Sequence, residues 1–101
     1  MPNCFQLLDK TSNEPVSLSL VDEQICKEVY KTQPHAKWYG GDVFNWFDSI
    51  GFQIAMGKSL PQVREYYNTN PLWEEERIYI NPALNYIEEH YNARSYYAVN
   101  R

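Results

Sequence analysis

The chain is poor in most of what reactive chemistry requires. Among its 101 residues are two cysteines, Cys4 and Cys26, and two histidines, His35 and His90. Neither pair has the close C-x₂₋₄-C or H-x₃₋₅-H spacing of a zinc site, so no metal is expected. Four glycines leave no room for a phosphate-cradling loop. Gly57-Lys58-Ser59 resembles the tail of one, but the glycine required five positions before Gly57 is Phe52, and an apolar helical pattern precedes the motif instead of a strand. Helix stop, exposed lysine and helix start account for all three residues. No cofactor is expected.

Other classes fall for want of charge or hydrophobic length. A formal net charge of −4 supplies no cationic excess to displace the counterions of a nucleic-acid backbone. No run approaches the roughly 20 apolar residues that cross a bilayer. Asp9, Lys10 and Glu14 interrupt the amino-terminal segment, which therefore does not read as a secretory signal. The expected setting is cytoplasmic, with both thiols reduced. Cys26 lies on an apolar helical stripe, where burial would disfavour the thiolate a nucleophile needs. Glu88-Glu89 and Glu74-Glu75-Glu76 are adjacent helix positions pointing in different directions, which suits a solvated face better than an acid–base pair.

Abundant aromatics stand against these absences. Nine tyrosines, three tryptophans and four phenylalanines accompany a hydrophobic content of 44% and a charged content of 22%, the composition of a folded globule. One α+β domain over 1–101 is expected, with the order β-β-α-α-α-α-β. Cys4 to Leu8, a turn-rich Asp9 to Pro15, and Val16 to Leu18 read as an N-terminal hairpin. Ser19, with Asp22 at the capping-box position, opens a helix whose stripe is Val21, Ile25, Cys26 and Val29. Asp42 caps a second helix, Val43 to Met56, apolar over most of its circumference and so central. Close approach by a neighbour would explain Gly51 within it, and Gly57 suits the left-handed position after its end. Ser59 and Gln62 form a capping box for a third helix to about Tyr67, with Leu60, Val63 and Tyr67 inward. Residues 71–80 read either as a short helix through the glutamates or as extended chain. Asn81-Pro82 starts a last helix that ends near Asn92. Ser95 to Val99 then closes a small three-stranded antiparallel sheet, with about four helices on one face.

Two clusters are the candidate contact surfaces. Trp38 and Tyr39 lie on a loop hinged by Gly40-Gly41. Tyr66, Tyr67, Leu72 and Trp73 surround a turn beside the acidic run Glu74, Glu75 and Glu76. Tryptophan and tyrosine often carry interface energy, though both clusters also suit the margin of a core.

The segments Cys-Phe-x-Leu-Leu-Asp-Lys-Thr, Pro-Val-Ser-Leu and Val-Asp-Glu-Gln-Ile-Cys between Cys4 and Cys26 resemble a group of short bacteriophage and prophage proteins. So do Trp46, Ser49, Ile50, Gly51 and Phe52, followed by Ala55, Gly57, Lys58 and Ser59, and the closing Tyr86 to Tyr91. Residues 70–80 depart from the pattern. The resemblance implies a viral or prophage source and a host-cytosol setting, and carries no activity. The expected function is non-enzymatic: stoichiometric contact with a host or defence protein, of the anti-CRISPR or anti-restriction kind. An enzyme or small-ligand binder using His35 or His90 is one alternative, and an assembly protein acting as a homo-oligomer is another.

Overall fold

The structure is a computed structural model that describes residues 4–34 and 42–96, the side chains of 42–46 excepted. In chain order it contains strand β1 (Cys4–Asp9), helix α1 (Leu18–Thr32), helix α2 (Asp42–Ala55), helix α3 (Leu60–Thr69), a 3-10 turn (Pro71–Trp73), helix α4 (Arg77–His90) and strand β2 (Tyr91–Tyr96). This is the expected α+β class with four helices. None of them is long and apolar enough to cross a membrane.

The sheet is smaller than expected. Among the described residues it has two strands, β1 antiparallel to β2, with Cys4 opposite Tyr96 and Asp9 opposite Tyr91. In place of the expected second arm of the hairpin, Val16 to Leu18, there is only an isolated bridge between Leu8 and Pro15. Proline has no N–H for a ladder, and Leu18 already belongs to α1. The turn itself is well built. Asp9 Oδ1 accepts from the N–H groups of Thr11 (2.8 Å) and Ser12 (2.9 Å), and Asn13 takes a left-handed φ of 60°. Those bonds hold the Asp9 carboxyl below its ordinary range. The C-terminal strand begins earlier than expected, directly after α4, and residues 97–99 of the expected strand lie outside the described residues.

Local signals placed most helix ends. Ser59 Oγ accepts from Gln62 N–H (3.4 Å) while Ser59 N–H donates to Gln62 Oε1 (2.9 Å), the capping box read from sequence. Gly57 has φ 103°; its N–H bonds to the Ile54 carbonyl, and that of Lys58 reaches back to Gln53, which closes α2. Two starts are corrected. At α1 the cap position is Ser17, whose hydroxyl pairs with Ser19 Oγ (3.0 Å) and not with the backbone, so no Ser19–Asp22 box forms. At α4 the helix begins at Arg77, and Pro82 lies inside it. As the sixth residue of α4, Pro82 lacks the N–H that would reach the Ile78 carbonyl, so the helix continues through it at the cost of one backbone bond. The glutamates form the turn before α4.

Helix α2 packs against both strands and the three other helices, the central position its composition predicts. One core joins Leu7 of β1, Val21, Ile25 and Val29 of α1, Phe47, Ile50 and Ile54 of α2, Val63 and Tyr67 of α3, and Ile80, Leu84 and Ile87 of α4. Not all of this segment is inward: Phe52 in α2 and Met56 just after its end are exposed. Gly51 is buried, and a Cβ added there would fall 2.5 Å from Cζ of Phe5. A strand ring is thus laid on the helix backbone, the close approach anticipated for this glycine.

Candidate functional site

The second aromatic cluster forms the corner between α3 and α4, and three sets of polar contacts hold it. Arg64 of α3 donates from Nε to Glu88 Oε1 (2.7 Å) and from Nη2 to Asn85 Oδ1 (2.7 Å), with a further Nη2 bond to Glu88. Asn68 and Asn81 exchange amide bonds at 2.9 and 3.0 Å. Arg77 donates from Nε to the Tyr67 carbonyl and from Nη2 to the Asn70 carbonyl, both 3.0 Å. A cation on the last carbonyls of α3 satisfies groups the helix cannot, and complements its dipole. Sequence spacing gave no sign of these pairs, since their members are 7 to 24 positions apart on different elements.

Inside the latch, Tyr67 is fully buried and its hydroxyl pairs with Ser49 of α2. The expectation of partner contact at Tyr67 is therefore corrected: the inward position read from the helical stripe is the one it occupies. Its ring supports two others edge-to-face, Tyr66 at 5.1 Å and Trp73 at 5.2 Å between centroids. Such pairs add about 0.5–1.5 kcal/mol beyond the area they bury. Tyr66 and Trp73 are half-buried, so each shows one side outward.

The outer rim of the corner is apolar and acidic. Asn70 Oδ1 accepts from Leu72 N–H (3.0 Å) and fixes the 3-10 turn. Pro71 and Leu72 project from it, Leu72 with 82% of its surface exposed. Glu74 and Glu75 are exposed beside them, while Glu76 is half-buried at the start of α4. Ile78 in the first turn of α4 is 50% exposed. Leu72 belongs to the cluster read from sequence as a contact surface, whereas Ile78 was not singled out there. Trp38 and Tyr39, the other expected contact cluster, lie outside the described residues.

On the flank of α3 an open groove of about 360 Å³ is lined by Lys58, Gln62, Glu65, Tyr66 and Thr69. Lys58 Nζ lies 5.3 Å from the Tyr66 ring centroid, over its face. The residues of the phosphate-loop look-alike are thereby accounted for: Gly57 ends α2, Lys58 covers a tyrosine, and Ser59 starts α3.

Among the described residues, which do not include His35, reactive groups elsewhere do not converge. Cys26 is a buried free thiol. Burial, with lesser contributions from Asp22 and Glu23, pushes the Cys26 thiol up to about 11, the opposite of an activated nucleophile. Among the described residues no three His, Cys, Asp or Glu side chains are grouped to hold a metal. His90 is exposed, with its ring 4.4 Å from that of Tyr86. Compared with protein-family models, curated proteins and solved structures, the chain matches none.

Two buried acids, Cys26 and Tyr67, and the half-buried Tyr91 make the fold sensitive to alkali. Burial lifts Cys26 from 9.0 to about 11, Tyr67 from 10.0 to about 12 and Tyr91 from 10.0 to about 12. Each folded value lies above the unfolded one, so the unfolded chain releases its protons first and stability falls with rising pH. The stabilisation is complete below pH 9, declines from there, and is lost as pH passes 11 to 12. Tyr67 alone accounts for on the order of 2 kcal/mol. In an alkaline titration, the last tyrosinate absorbance should therefore appear together with loss of helical circular dichroism. Complete tyrosine ionisation with the helices intact would contradict the buried position of Tyr67.

Proposed function

We propose that this chain is a non-enzymatic binding protein of bacteriophage or prophage origin, working in the host cytosol by stoichiometric contact with a host or defence protein of the anti-CRISPR or anti-restriction kind. The observation that carries the reading is the α3–α4 corner. A leucine with 82% of its surface exposed stands on a turn fixed by Asn70, beside Trp73, whose ring rests on the buried Tyr67. Interface hot spots are rich in tryptophan, which Trp73 supplies with its ring fixed against Tyr67, and Leu72 adds exposed apolar surface on a turn whose backbone is already ordered. The origin rests on the sequence resemblance, and the choice of a protein partner on the corner and the modest acidity.

Direct docking ranks above imitation of nucleic-acid phosphates. The acids at the corner are few, and Arg64 and Arg77 lie on the same pair of helices. Docking through Leu72 and Trp73 predicts a complex that weakens only modestly with salt, whereas phosphate mimicry predicts a steep loss.

Affinity capture from bacterial lysate, read by mass spectrometry, tests the function. A specific partner is expected, held at least about tenfold more weakly by Leu72→Ser. That variant should melt like the parent, because Leu72 contributes little to the core. Absence of any specific partner at micromolar bait, or capture unaffected by Leu72→Ser together with Trp73→Ala, counts against the reading.

A further inference from the structure

An edge of the small sheet that is open among the described residues carries an inference independent of the α3–α4 corner. Val16 N–H donates to the Leu7 carbonyl (3.0 Å), and Asp9 N–H donates to the Glu14 carbonyl (2.9 Å). Residues 7 and 9 therefore turn their backbone groups away from β2. By strand alternation Cys4, Gln6 and Leu8 turn theirs towards it, opposite Tyr96, Arg94 and Asn92. It follows that Tyr91, Ala93 and Ser95 direct their N–H and C=O groups to the far side of β2. Tyr91 N–H is taken by the Ile87 carbonyl at the end of α4. Among the described residues, no backbone group meets those of Ala93 and Ser95 on that side.

Folded proteins protect such an edge with lysine, proline or a bulge. Tyr91–Tyr96 contains neither residue, and its register with β1 runs unbroken. Its one charge, Arg94, donates from Nε to Gln6 Oε1 (2.8 Å) on β1 and is thus drawn away from the edge. A two-stranded sheet is also the least stable of sheets, and further strands stabilise it.

We infer that this edge pairs with the same edge of a second copy of the chain, joining two two-stranded sheets into one antiparallel sheet of four. Backbone direction limits the register, because only residues 91, 93 and 95 turn bonding groups to this edge, Tyr91 with its carbonyl alone, and a centre at Ala93 uses all three. A two-fold axis at Ala93 sets Ala93 against the partner's Ala93, and Tyr91 against the partner's Ser95. On the other face it sets Arg94 against the partner's Asn92. No like charges oppose each other, and the smallest side chain stands on the axis, where two copies come nearest. That self-complementarity favours a second copy over an unrelated strand.

Light scattering on the full chain across a dilution series tests this. The expected result is a mass of twice 12.0 kDa at high concentration, falling to 12.0 kDa on dilution. Ala93→Pro removes the N–H on the axis while leaving the β1 ladder intact, and should give a monomer with a cooperative melt. Asn92 is exposed, so two further variants fold whatever the fate of the proline change. Asn92→Glu, facing the partner's Arg94, should tighten the dimer. Asn92→Arg should loosen it roughly tenfold, because the like-charge contact occurs twice. A monomer at every concentration overturns the inference and leaves the edge to a different strand. A dimer indifferent to both Asn92 changes overturns it too.

Discussion

Tyr67→Ala is expected to cost about 3–5 kcal/mol, the range for deleting a large buried aromatic. In a domain of this size the melting temperature should drop by upwards of about 12 °C. The residue is fully enclosed, and its loss empties the space between α2, α3 and the 3-10 turn. It also takes away the ring against which Tyr66 and Trp73 are placed edge-to-face. Tyr67→Phe isolates the hydroxyl. It keeps the rings in place and removes the bond to Ser49, for a loss of about 0.5–1.5 kcal/mol. Thermal melts of the two variants separate core from contact roles. A partner-facing tyrosine would show the reverse: binding lost with the phenylalanine change and the melt unmoved. A loss under about 1 kcal/mol for the alanine variant would contradict its enclosure.

The second large effect is a reversal of sign at Gly51. In an ordinary helix, glycine to alanine stabilises by about 1 kcal/mol. Here the added Cβ meets the Phe5 ring, which is itself packed edge-to-face on Phe47 with centroids 6.1 Å apart. Displacing a packed ring costs about 1–3 kcal/mol, so after the helix gain Gly51→Ala should come out destabilising by up to about 2 kcal/mol. Phe5→Leu removes the ring atoms in the way. In that background the same glycine change should become neutral or stabilising, giving a coupling of about 2 kcal/mol in a double-mutant cycle measured by denaturant unfolding. Additive effects would mean that β1 does not lie on α2 at this point.

Different parts of this architecture were legible to different degrees, for reasons that can be traced to individual residues. The Ser59–Gln62 box and the Gly57 stop were readable because their bonds close within a few residues and need no neighbour. The stripe of Val21, Ile25, Cys26 and Val29 was readable because burial of one helical face imposes its own period. Asn81-Pro82 misled because an equally local cap signal was overruled: the amide of Asn81 is spent on Asn68 of α3, and Arg77 anchors α4 a turn earlier. The spacing Ile80, Leu84 and Ile87 already carried that longer helix. At the candidate site, the acidic run and the aromatics were visible as residue types. Which of them face outward was not, since Tyr66 and Tyr67 are neighbours in sequence yet differ in burial by their angle about α3.

The amino-acid order alone settled the α+β class, the four helices, most of their ends and the purpose of Gly51 and Gly57. Those features depend on contacts within one or two turns, or on how much apolar surface must be hidden. Tertiary structure decided that the second arm of the hairpin shrinks to a single bridge, that Tyr67 becomes a support and Leu72 the exposed tip, and that an edge of β2 is left open among the described residues. Each of these depends on where a distant segment comes to rest. A chain position carries that information only through the packing of the whole.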